Sequence, residues 1–66
     1  MRITVNGTAE DLKQAMTIAE YLEYKAIETI LVVVEWNFTT PPRREWSEIV
    51  LSDGDNLEII KIVGGG

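Results

Sequence analysis

A single strong helix start, set between β-rich stretches, constrains the fold of this chain more than any other feature. It lies in Met16-Thr17-Ile18-Ala19-Glu20-Tyr21-Leu22. Thr17 is a good N-cap, because its side-chain oxygen can accept from a backbone N–H that has no partner within the first turn. Glu20, three residues on, completes a capping box, and Met16 and Tyr21 are spaced as a hydrophobic staple. Ile18, Tyr21, Leu22 and Ala26 fall on one helical face, which predicts one buried stripe and a helix ending near Lys25 or Ala26. A helix with a single apolar stripe must bury it against a second layer, and the rest of the chain supplies strands.

Arg2 to Val5 alternates polar and apolar residues, the period of a half-buried strand. Asn6-Gly7 follows, and both residues tolerate the positive φ of a type I′ turn, so the pair predicts a hairpin into a second strand from Thr8 to about Leu12. Thr29 to Trp36 is β-rich, and its apolar side chains fill both faces, which predicts a central strand. Asn37 to Pro42 reads as a turn-rich connection in which Pro41-Pro42 excludes helix. Arg43 to Glu48 has room for one short helical turn carrying Trp46 inward. Asp53-Gly54-Asp55 reads as a tight turn before a last strand from Leu57 to Val63. The expected class is α+β, a ubiquitin-like β-grasp: a small mixed sheet with one main helix. Its first and last strands then lie parallel in the middle of the sheet, reached by right-handed crossovers. The expected organisation is one domain over residues 1-63 and a flexible glycine tail over 64-66.

The chain has 66 residues, room for one small domain, and no cysteine or histidine. Disulfides and thiolate metal sites are therefore excluded, and the commonest general base and metal ligand is missing. That argues against a self-sufficient enzyme, and no bound cofactor or metal is expected. The net charge is −5, with residues 1–33 summing to −2 and residues 34–66 to −3. No basic patch appears, which disfavours nucleic acid and anionic lipid; a basic protein partner fits the charge. The longest apolar run, Ile30 to Val34, is too short to span a membrane, and the N-terminus lacks a signal-peptide core, so the cytoplasm is the default location.

The last predicted strand leads into Gly64-Gly65-Gly66. A glycine tail can thread a narrow slot and bring the α-carboxylate of Gly66 close to another protein's reacting atoms. A floppy terminus reads equally well from the glycines alone. Along the last strand Leu57, Ile59 and Val63 point one way, while Glu58, Ile60 and Ile62 point the other. If the first set joins the core, Ile60 and Ile62 form an apolar patch near the tail that can dock a partner. Phe38 is a further candidate for docking, whereas Trp46 reads as core. Asp53 and Asp55 supply two carboxylates and no further spaced ligands, which fits a turn rather than a metal loop.

Several of these residues converge on a family. Ile3-x-Val5-Asn6-Gly7, the Thr17-Ile18-x-Glu20-x-Leu22 helix start, Asn37 and Pro42-Arg43-x-x-Trp46, Leu51-x-x-Gly54-Asp55-x-Leu57-Glu58-Ile59 and Val63-x-Gly65-Gly66 run in order along nearly the whole chain. Together they resemble ThiS, the sulfur carrier family of thiamine thiazole biosynthesis. Glu35-Trp36 departs from the small or aliphatic residues usual before the Asn, and Thr39-Thr40-Pro41 from the aliphatic pair usual before Pro-Arg. The resemblance implies that a ThiF-like enzyme uses ATP to adenylate the Gly66 carboxylate, with Gly65 and Gly64 giving access. It also implies that a persulfide donor such as a cysteine desulfurase supplies sulfur, and that the resulting thiocarboxylate serves a ThiG-like thiazole synthase. A carrier for molybdopterin or for tRNA thiolation, or a non-covalent ubiquitin-like binding module, remains open from the residues, because fold does not set the acceptor.

Overall fold

The computed structural model describes residues 1–62. Five elements follow in order: β1 (Arg2–Val5), β2 (Thr8–Asp11), α1 (Ile18–Tyr24), β3 (Val32–Trp36) and β4 (Asn56–Lys61). The strands form one mixed sheet in the order β2-β1-β4-β3. β1 and β4 are parallel, and the two outer pairs are antiparallel. This is the expected β-grasp, with the first and last strands at the centre.

Local chemistry accounts for each element. Asn6 and Gly7 both have positive φ, 50° and 82°, and join Val5 to its cross-strand partner Thr8 as a two-residue hairpin loop. Thr17 caps α1: its hydroxyl accepts from the Glu20 N–H at 3.1 Å, and the Glu20 carboxylate accepts from the Thr17 N–H at 2.8 Å. The Ile18 and Ala19 N–H groups donate to the carbonyls of Ile49 and Trp46. The first-turn donors of the helix are thus satisfied, and the segment leading to β4 is tied to the helix start.

Ile18, Tyr21 and Leu22 of α1 are buried against Ile3, Val34 and Leu57 of the sheet, with Leu12, Val32, Trp46 and Leu51 completing the core. Trp46 is carried inward by a 3-10 turn at Arg43–Glu45, and its indole N–H donates to the Pro41 carbonyl at 3.0 Å. The Tyr21 hydroxyl donates to Glu10 at 2.6 Å, and Lys25 pairs with the same carboxylate at 3.0 Å, so the one buried phenol has a partner.

Three expectations are corrected. Thr29 to Trp36 is not one strand: Thr29–Leu31 forms a 3-10 turn, with Ile30 and Leu31 exposed. The strand that follows lies at the sheet edge, not the centre. Its apolar residues on both faces arise because Val32 and Val34 face the helix while Val33 meets Ile60 across the ladder. Ala26 is exposed with φ of 57°, because the chain leaves the helix there rather than continuing its buried stripe. β4 ends at Lys61, and Val63 lies outside the described residues.

Candidate docking surface

β4 is the rail on which the candidate site is built. It is hydrogen-bonded on both sides, and the chain just after β1 adds a further tie: the Asn6 amide oxygen accepts from the Ile59 N–H at 2.7 Å, while the Asn6 N–H donates to the Leu57 carbonyl at 2.9 Å. Leu57 is fully buried and Ile59 packs against the core. Ile60 and Ile62 are 49% and 46% exposed. Val33 lies directly opposite Ile60, and the Ile62 N–H donates to the carbonyl of exposed Leu31 at 2.7 Å. The structure therefore brings Ile60 together with Val33 at the end of β4, with Ile62 next on the same face. The candidate residues Gly64, Gly65 and Gly66 lie outside the described residues.

The electrostatics of this surface are acidic. Glu35 on β3 sits directly opposite Glu58 on β4, and like charges in that arrangement repel. The ion pairs among the described residues, Arg2 with Asp11 and Lys25 with Glu10, involve neither. The apolar end of β4 thus adjoins an uncompensated acidic pair, a surface suited to a partner that offers apolar contact beside a cation.

Phe38 is elsewhere. It occupies a tight turn in which the Trp36 and Thr39 N–H groups donate to each other's carbonyls at 2.8 and 3.0 Å. That turn adjoins the Trp36–Leu57 end of the β3–β4 ladder. Leu57 and Ile62 are five residues apart, roughly 17 Å of strand, so the structure does not bring Phe38 into the Ile60 and Ile62 surface.

The turn is held by Asp55, whose place in the sequence reads as part of a tight turn. Asp55 is 8% exposed, and its carboxylate accepts from Trp36 Nε1 at 3.0 Å, Asn37 Nδ2 at 3.0 Å and the Ser52 N–H at 2.8 Å. Gly54, with φ of 88°, permits the preceding turn. Burial pushes the Asp55 carboxyl up, but the bonds from Asn37, Trp36 and Ser52 outweigh it and hold it below the usual carboxylate range. A depressed folded pKa gives stability that is fully present above the unfolded value, about 3.9, and is lost as pH falls through the folded value. The stability difference between wild type and Asp55→Asn should therefore narrow below about pH 4, which thermal unfolding followed by circular dichroism across pH measures directly. Both carboxylates of the Asp53-Gly54-Asp55 turn have structural uses, since Asp53 accepts from the Arg2 N–H at 2.7 Å. Among the described residues no cluster of three or more potential metal ligands occurs, and no helix is long and apolar enough to cross a membrane.

A model of the ThiS family matches residues 2–66. The chain belongs to the ThiS family. The crystal structure of a ThiS thiamine biosynthesis protein from Geobacter metallireducens superposes with a TM-score of 0.85, at 29% identity and with both chains fully covered. A thiazole synthase of Paramagnetospirillum magneticum is 30% identical over all 66 residues, but the chain spans only 20% of that relative's length. An uncharacterised protein, ycf40, of Trieres chinensis is 31% identical over 62 residues, covering 94% of this chain and 85% of that one. Two structural features are not evident from the sequence: the Asp55 hub and the Leu31 carbonyl, which accepts from the Ile62 N–H. Leu31 had its place in the apolar run, which does not signal this bond. Asp55 stood in the Gly54-Asp55 element, but its role as a hub had no local signal, because its partners Trp36 and Asn37 are 19 and 18 residues away.

Proposed function

We propose that this chain is a sulfur carrier for thiazole formation in thiamine biosynthesis, a protein co-substrate rather than an enzyme. The observation that carries the reading is the family match over residues 2–66, which takes in the glycine run as well as the folded domain. The Gly66 carboxylate attacks the α-phosphorus of ATP in the active site of a ThiF-like adenylating enzyme, and pyrophosphate leaves. The acyl-adenylate is then attacked at its carbonyl carbon by the terminal sulfur of a persulfide donor, and AMP leaves. A thiol cleaves the resulting S–S bond, and the thiocarboxylate gives its sulfur to a ThiG-like thiazole synthase.

The carrier's own residues contribute position and access. Ile60 and Ile62, with Val33 beside them, dock the adenylating enzyme, and Glu35 and Glu58 receive a basic side chain from it. Gly65 and Gly64 allow the arm to enter a narrow channel, so the reacting carboxylate is presented in a fixed place. The similarity to the Paramagnetospirillum thiazole synthase supports the choice of acceptor. The test is ATP–pyrophosphate exchange by the cognate adenylating enzyme. Exchange should rise with added carrier, and the Ile60→Asp variant should need at least tenfold more protein for the same rate. Exchange unaffected by this protein, while a control carrier stimulates its own enzyme, would contradict the reading.

A further inference from the structure

Phe38 combines two features that the fold does not require of it. Asn37 and Phe38 have φ of 48° and 67°, so an aromatic residue holds a left-handed backbone conformation. In a two-residue turn of this kind glycine is the favoured second residue, and a bulky side chain there is an outlier. Phe38 is also 85% exposed, the highest value among the exposed large hydrophobic side chains of the described residues. The ring therefore gains almost nothing from the domain's own core in return for the backbone strain. Strain kept at an exposed position points to a use outside the fold.

The ring is presented rigidly. The Asn37 amide donates to Asp55, its oxygen accepts from the Asn56 N–H at 2.8 Å, and the Asn37 N–H donates to the Asn56 carbonyl at 2.9 Å. The Thr39 hydroxyl donates to the Trp36 carbonyl at 2.7 Å, closing the other side of the turn. An aromatic anchor held in this way loses little further freedom on binding. Its surroundings also identify the kind of pocket it fits. Residues 37–42, Asn-Phe-Thr-Thr-Pro-Pro, carry no charge in a chain of net charge −5. The complement is an uncharged apolar pocket, unlike the cation-bearing surface that suits Glu35 and Glu58.

We propose that Phe38 is an anchoring residue that inserts into an uncharged apolar pocket on the thiazole synthase, at a contact separate from the Ile60 and Ile62 surface. This rests on the carrier reading above. The synthase is the chosen partner because the Paramagnetospirillum thiazole synthase holds a segment matching this whole chain within 20% of its length, so in that protein the two are covalently held together. Roughly 10 Å of strand between Leu57, beside the turn, and Ile60 lets Phe38 be engaged at one end while the other end of β4 leads to the tail.

The experiment measures binding of the cognate thiazole synthase to the carrier by calorimetry, with Phe38→Gly, Phe38→Ala and Phe38→Leu. Phe38→Gly and Phe38→Ala should each weaken binding at least tenfold, and Phe38→Leu should retain most of it. The thermal midpoint of Phe38→Gly should rise, because glycine removes the strain, so its lost affinity is not a folding defect. Unchanged affinity in Phe38→Gly, or an equal loss in Phe38→Leu, overturns the proposal, as does a wild-type carrier that does not bind the synthase. Failure of the carrier reading has a different signature: the wild type then fails to stimulate ATP–pyrophosphate exchange.

Discussion

Leu57→Ala should lower the unfolding free energy by about 3 kcal/mol, read from denaturant unfolding at neutral pH. Leu57 is fully buried, sits on a central strand, and is paired with Val5 on one side and Trp36 on the other. Removing its branched end leaves a cavity among rigid neighbours, so the lost transfer free energy and the cavity add. A domain of this length has a total stability of roughly 3–10 kcal/mol, from about 0.05–0.15 kcal/mol per residue. The variant thus gives up between about 30% and nearly all of the total. Ile60→Ala, on the same strand but half-exposed, should lose under about 1 kcal/mol. Equal losses at the two positions would mean that the strand does not divide its faces as described.

Gly65→Val should reduce thiocarboxylate formation by at least a hundredfold, with the thermal midpoint unchanged. A β-branched side chain widens the arm at the position that must enter the partner's channel and restricts its backbone to part of the space open to glycine. Misplacement of the reacting carboxylate by about 1 Å is enough for a loss of that size. The midpoint should hold because the glycine supplies no side chain to the core. Single-turnover conversion with the adenylating enzyme and a persulfide donor, followed by intact-mass analysis, measures the loss. Conversion of Gly65→Val at the wild-type rate would show that the arm is not confined on its way to the reaction.

Much of the fold was legible because its signals are local. The Thr17–Glu20 capping box and the Asn6-Gly7 turn act within a few residues, and both occur where their residue types demand them. The central position of β4 followed from the β-grasp arrangement that the order of the elements matches. The errors concern β3, where a continuous apolar run hid two structures. Thr29–Leu31 closes a 3-10 turn through the Leu31 N–H and the Glu28 carbonyl, so Ile30 and Leu31 lie outside the strand. Nor does an apolar pattern on both faces distinguish a buried strand from an edge strand whose outer face meets one apolar neighbour, here Ile60. The outward aim of Ile60 and Ile62 was readable from the period of two. The separation of Phe38 from them was not, since it depends on the antiparallel register of β3 and β4. The Asp55 hub was hidden for the same reason: its donors are brought to it by tertiary structure.

The carrier function rests on the carboxylate of Gly66, and its conversion can be weighed. The protein is incubated with ATP, the cognate adenylating enzyme and a persulfide donor, then weighed intact and fragmented. The predicted result is an ATP-dependent mass gain matching exchange of one oxygen for sulfur, located at Gly66 and absent when Gly66 is deleted. No ATP-dependent gain, with a competent control carrier converted alongside, or a gain located anywhere other than Gly66, would contradict it.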